Sequence, residues 1–132
     1  MSTGHWVFEK LCLGQLVNKL KSLLTRAGSN HYNYVGDSIL GYKSHMGAGS
    51  LTSNVKSDQT LVVVKNGEDR MKTGLKKFGA AIGDYVEVGC NSVLNPGTVV
   101  GRNSNIYPLS CVRGVVPERS IYKSGGQIVK KV

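Results

Sequence analysis

Aliphatic residues recur at every sixth position from Ile82 onward: Ile82, Val88, Leu94, Val100, Ile106 and Val112. Two places before each stands a small or β-branched residue, namely Ala80, Val86, Ser92, Thr98, Ser104 and Ser110, and glycine follows at Gly83, Gly89 and Gly101. A period of six matches no α-helix, whose faces recur at about 3.6 residues, but it matches two inward side chains in strand alternation followed by a turn. Three such units close one triangular coil, and successive coils stack as parallel strands about 4.8 Å apart, each burying its aliphatic residue on the next. The pattern predicts an all-β chain, a parallel β-helix of hexapeptide repeats, with Ile82 to Val99 on one coil and Val100 to Pro117 on the next. The small residue two places earlier fits the crowded corner.

The same phase occurs earlier at Leu40-Gly41 and Met46-Gly47, with Ser38 and Ser44 in the small positions. Val35-Gly36 lies five rather than six residues before Leu40, which predicts a tightened corner. Residues 52–81 break the period. Within them "LVVVKNGEDRMKTG" has a β-rich run, an Asn66-Gly67 turn and a polar second arm, the signature of a hairpin projecting from the helix. Residues 1–29 carry Leu13, Leu16, Val17, Leu20, Leu23 and Leu24 at helical spacing, with Gly28 as a stop, and predict an amphipathic N-terminal helix and connector. The expected organisation is that helix, a β-helix over 30–118 with a hairpin insertion at 52–81, and a C-terminal tail or last strand over 119–132.

Charge narrows the partners. Seventeen Lys and Arg against eight Asp and Glu give a formal charge of +9, so the surface favours anions such as phosphorylated small molecules, acidic lipid or nucleic acid. Nucleic acid is not the expected partner, because the basic residues are dispersed and aromatics are not interleaved with them. Lys65, Arg70, Lys72, Lys76 and Lys77 crowd the predicted hairpin and are candidates for phosphate contacts. Cys12, Cys90 and Cys111 are far apart with no histidine at ligand spacing, so neither a disulfide framework nor a metal site is expected. No apolar run reaches membrane-spanning length and no secretory signal is evident, which predicts a cytoplasmic protein that does not insert in a membrane.

Three strings carry more than periodicity: "NHYNYVGDSILG", "MGAGSLTSN" and "TGLKKFGAAIGDYVEVGCNSVLNPGTVVG". They resemble the left-handed β-helix acetyltransferase domain of the bifunctional N-acetylglucosamine-1-phosphate uridyltransferase/glucosamine-1-phosphate acetyltransferases and of related clostridial and archaeal sugar-1-phosphate nucleotidyltransferases. The likeness covers roughly 30–118, and the H-x-x-Y-[LV]-G-D string followed by G-A-G-x-[IL]-T-x-N is its specific part. Nothing here is similar to that family's nucleotide-binding domain, so nucleotidyl transfer is not expected of these residues. The chain looks like a shortened relative.

What the resemblance implies is a homotrimer with acetyl-CoA in the groove between neighbouring prisms and acetyl transfer to an amine, such as that of an amino-sugar phosphate. It implies that His31 is the general base and that Asn54 positions the substrate and the reacting centre. Tyr34 contacts the sugar phosphate, His45 stands where the bacterial pattern has a sugar-touching asparagine, and Lys56 is a further candidate for the substrate's anionic end. Ala48 and Cys90 match small positions along the coenzyme groove, with Lys76 and Lys77 meeting the coenzyme phosphates. The chemistry is compatible: imidazole, with an ordinary pKa near 6.5, accepts an amine proton at neutral pH, and an amide donor can steady an oxyanion. The alternative is a trimeric β-helix scaffold that does not catalyse.

Overall fold

A computed structural model describes residues 32–132; the expected N-terminal helix and His31 lie outside the described residues. The first coil is made by β1 (Tyr34–Val35), β2 (Ile39–Leu40) and β3 (His45–Met46), and β4 (Leu51–Thr52) opens the second. An excursion carrying β5 (Val63–Asn66) and β6 (Asp69–Lys72) follows. The coils resume with β7 (Ala80–Ile82), β8 (Glu87–Val88), β9 (Val93–Leu94), β10 (Thr98–Val100), β11 (Asn105–Ile106) and β12 (Cys111–Val112). They continue through β13 (Val115–Val116) and β14 (Ser120–Tyr122), and β15 (Ile128–Lys130) turns back antiparallel on β14. Three parallel sheets result: face one holds β1, β4, β9 and β12; face two β2, β7, β10 and β13; face three β3, β8, β11 and β14.

The hexad positions point inward. Ile82, Val88, Leu94, Val100, Ile106 and Val112 are 0–2% exposed and form one core with Met46, Val116 and Tyr122. Burying each such side chain contributes about 1.5–3 kcal/mol. The small residues before them are buried too, and their hydroxyls donate to turn carbonyls: Ser44 to Gly41 at 2.8 Å, Ser50 to Gly47 at 2.6 Å, Thr98 to Asn95 at 2.7 Å and Ser110 to Tyr107 at 2.6 Å, each three residues back, and Ser92 to Tyr107 at 3.0 Å and Ser104 to Pro117 at 2.8 Å on the next coil. A buried hydroxyl left without a partner would cost about 1–3 kcal/mol. Among the described residues no buried side-chain nitrogen or oxygen lacks one.

Two corners are tighter than the ideal. Tyr34 pairs with Leu51, one residue short of the 18 seen between Ser92 and Ser110. Val100 pairs with Val116, only 16 on, because the chain turns at Arg113-Gly114 with Gly114 at φ +77°.

The excursion is the other departure. His45 and Glu87 are register partners 42 positions apart, so 24 residues (42 less 18) are inserted between β4 and β7. Val63–Asn66 and Asp69–Lys72 pair antiparallel around Gly67-Glu68. The expectation was a projecting arm; instead it lies down on face two. Val62, Val64 and Phe78 form a second apolar cluster with Ala81 and Val99, and Ile39, Met71 and Val115 pack against it. The cause is on face two itself, whose outward residues Ile39, Ala81, Val99 and Val115 are all apolar and need cover. Backbone contact at Gly97 and Gly114 seats the arm: a Cβ on Gly97 would stand 2.8 Å from the Val63 carbonyl oxygen, and one on Gly114 3.0 Å from that of Lys65. Gly97 also sits at φ +85°, a conformation that L side chains rarely adopt.

Candidate functional site

The corner between faces one and two collects the most specific residues of the sequence. β1 and β4 end there side by side, and the returning excursion closes it: the Phe78 amide donates to the Asn54 carbonyl at 2.9 Å and the Gly79 amide to that of Asp37 at 2.9 Å. Thr52, fully buried, receives the Gly36 amide on Oγ1 at 3.2 Å and the Ser38 hydroxyl at 2.8 Å. On this floor the Asn54 Nδ2 donates to Asp37 Oδ2 at 2.6 Å. A charge-assisted bond fixes the amide's orientation. Tyr34 is half exposed and leans over the same spot: a Cβ on Gly36 would lie 2.5 Å from the Tyr34 hydroxyl and 2.7 Å from Asn54 Nδ2. Glycine is required there because two side chains use its space.

The other expected residues are distributed elsewhere. Lys76 and Lys77 precede Phe78 and so stand beside Asn54, whereas Ala48 and Cys90 stack at the corner between faces three and one, where the Asn91 amide donates to the Ala48 carbonyl at 3.0 Å. One protomer does not bring these two pairs together. His45 points outward from face three, its Nδ1 2.9 Å from Glu87 Oε2. In a triangular prism face three is opposite the corner that holds Asn54, so His45 and Asn54 do not share a site within one protomer. Lys56 is held by the Thr60 hydroxyl at 2.6 Å and lies 3.4 Å from Asp58. The Asp58 carboxyl is kept below its ordinary range by the Thr60 amide and hydroxyl first and by Lys56 after them. At the corner with Ala48, Asn33 donates through Nδ2 to the Gly47 and Ser50 carbonyls, both at 2.8 Å. Among the described residues no three His, Cys, Asp or Glu side chains gather to hold a metal ion, and no helix is long and apolar enough to cross a membrane.

No family model matches the chain. It is 33% identical over 116 residues to a bifunctional sugar-1-phosphate nucleotidylyltransferase/acetyltransferase of Sulfurisphaera tokodaii, covering 87% of this chain and 29% of that protein. It is 37% identical over 103 residues to the bifunctional protein GlmU of Methanococcus vannielii, covering 76% and 24% respectively. The chain is a homologue of part of these bifunctional proteins. It spans about a quarter of their length, as it does for GlmU of Koribacter versatilis, at 30% identity over 125 residues, 93% of this chain and 23% of that one. A galactoside acetyltransferase solved in complex with coenzyme A has the same fold, with a TM-score of 0.50 and 18% identity across 99% of this chain and 84% of that one.

Asp37 is a candidate that the sequence alone does not single out. The residue is part of the string H-x-x-Y-[LV]-G-D, and that position was the available signal. What it does became visible only when β1 and β4 came to lie side by side, 17 residues apart.

Proposed function

We propose that the chain is a CoA-dependent acetyltransferase acting on the amine of an amino-sugar phosphate, assembled as a homotrimer of left-handed β-helices. The observation that carries this reading is the Tyr34, Asp37 and Asn54 cluster, in a chain similar over most of its length to part of proteins whose names include acetyltransferase. Their nucleotidyl transfer is not assigned to these residues.

In the proposed reaction the acceptor's neutral amine attacks the thioester carbonyl carbon, and His31 takes the proton that the nitrogen loses as the carbon–nitrogen bond forms. The carbonyl π electrons move to oxygen, where an amide donor such as Asn54 steadies the oxyanion. Collapse breaks the carbon–sulfur bond, the thiolate leaves, and the proton held by the imidazolium neutralises it. Asp37 acts through Asn54, as a positioning residue. Tyr34, at the same corner, holds the sugar phosphate, and Lys76 and Lys77 meet the coenzyme phosphates.

Two features support the trimer. The corner with Asn54 is separated from His45, Ala48 and Cys90 within a protomer, and a neighbouring prism laid alongside can supply the missing side. In addition, Tyr34, Leu51, Val93 and Cys111 form a largely apolar outward row in register on face one, and the apolar clusters among the described residues do not include it. The test is release of free thiol from acetyl-CoA in the presence of glucosamine 1-phosphate. Release that His31→Ala abolishes sustains the reading; a folded trimer that releases none makes the chain the non-catalytic scaffold.

A further inference from the structure

The two ends of the prism are finished differently. At the lower end Tyr122 closes the core, 8% exposed with its hydroxyl donating to the Cys111 carbonyl at 3.0 Å, and β15 turns back along the edge of β14. At the upper end no described residue does the same. β1, β2 and β3 each stand outermost in their sheet, so this end presents three strand edges. The inward side chains show the deficit. Leu40 and Val35 are half-buried, whereas their register partners one coil down, Ile82 and Thr52, are 2% and 0% exposed. Tyr32 does not fold back over them, being 99% exposed.

We propose that this end is a docking surface for an earlier segment of the same chain, whose stripe of Leu13, Leu16, Val17, Leu20, Leu23 and Leu24 lies across it and completes the core. A helix laid over strand edges covers them without needing to pair with them. The dimensions agree. A stripe of twelve residues, 13–24, is about 18 Å long as a helix, and one side of a coil, about six residues in extended chain, is about 20 Å. Chain entry is at the right place. Asn33 donates through Nδ2 to the Gly47 and Ser50 carbonyls, both at 2.8 Å, which ties the start of the described chain to the rim of this end. Residues 25–31 lie between the stripe and Tyr32, and seven residues reach as far as about 23 Å, enough to bring the stripe back over the core.

The same observations disfavour a separate molecule as the cover. Two half-buried aliphatic side chains offer far less apolar surface than the roughly 1,200 Å² at the lower end of stable interfaces between proteins. A segment of the same chain avoids the loss of translational freedom that a separate partner pays, so a small apolar end is sufficient for it. The inference does not rest on acetyl transfer, and it holds equally for a non-catalytic scaffold.

The test is a double-mutant cycle by urea unfolding of the full chain. Leu20→Ala and Leu40→Ala each shift the folding equilibrium by about tenfold toward the unfolded state, and together they depart from additivity by at least about threefold, since each side chain has lost its partner in the single variants. Leu20→Ala combined with Val112→Ala, at the opposite end of the core, is additive. If Leu40→Ala does not fold, Leu40→Val supplies the same cycle. Additivity of Leu20 with Leu40 overturns the proposal. Two further readouts, made on Leu20→Asp, identify a different occupant and also overturn it: a halved sedimenting mass shows two copies joined end to end, and loss of wild-type binding to vesicles of phosphatidylcholine and phosphatidylglycerol in equal parts shows a stripe that faces lipid.

Discussion

Face one and face two carry nearly the same outward chemistry and treat it differently. On face two the apolar row Ile39, Ala81, Val99 and Val115 is covered by the chain's own arm through Val62, Val64 and Phe78. On face one the row Tyr34, Leu51, Val93 and Cys111 has no such cover from the described residues, and Tyr34 and Cys111 stay exposed. Face three needs none, since its outward row begins with the polar residues His45, Glu87 and Asn105. An apolar row on a β-helix flank therefore calls for a partner, and the contrast separates one supplied within the chain from one that the proposed trimer would supply.

The largest effect is expected where cover is internal. Val99→Asp places an unpaired charge in the fully buried cluster under the arm and costs on the order of 4 kcal/mol, enough for the variant to be largely unfolded by circular dichroism at 25 °C. If the proposed trimer buries face one, the same change there, Val93→Asp, leaves the secondary structure intact and dissociates the trimer in sedimentation, weakening association by on the order of 100-fold. A trimer that survives it places the subunit interface elsewhere.

Where the two faces meet, Asn54→Ala lowers kcat for acetyl transfer by about 100-fold, the usual loss for one oxyanion donor, while the melting temperature moves by only a few degrees. An unaltered kcat removes Asn54 from the reaction. Smallest is Gly97→Ala, which forces a side chain into a positive-φ position and against the Val63 carbonyl; it lowers stability by about 1–2 kcal/mol in a urea melt. No loss would mean that the arm is not seated on face two through Gly97.

Much of the prism was legible because its code is local. A residue six positions on from Ile82 points the same way as long as each corner keeps its length, so Val88 through Val112 could be placed without knowing any neighbour. The serine and threonine column was legible as small but not as a hydrogen-bonding column, since its acceptors depend on the turn geometry. The four-residue step from Val112 to Val116 escaped the reading, because a shortened corner is set by how Gly114 meets the Lys65 carbonyl.

Of the site, Tyr34 and Asn54 were legible from their strings, and the pairing of Asn54 with Asp37 was not. That Ala48 and Cys90 lie at a different corner from the residues preceding Phe78 was not legible, because a linear motif does not say at which corner its residues lie.

By itself the sequence determined the class of fold, the inward column and the strings that point to acyl transfer, since these depend on side chains repeating at short range. Only the tertiary structure decided that the arm lies on face two, that its cations meet Arg113 across a groove, and that His45 faces away from Asn54. Those relations bring together residues far apart in the chain, such as Lys65 and Arg113, and part residues close in it, such as His45 and Asn54. They depend on corner lengths and on where an inserted segment finds apolar surface to cover.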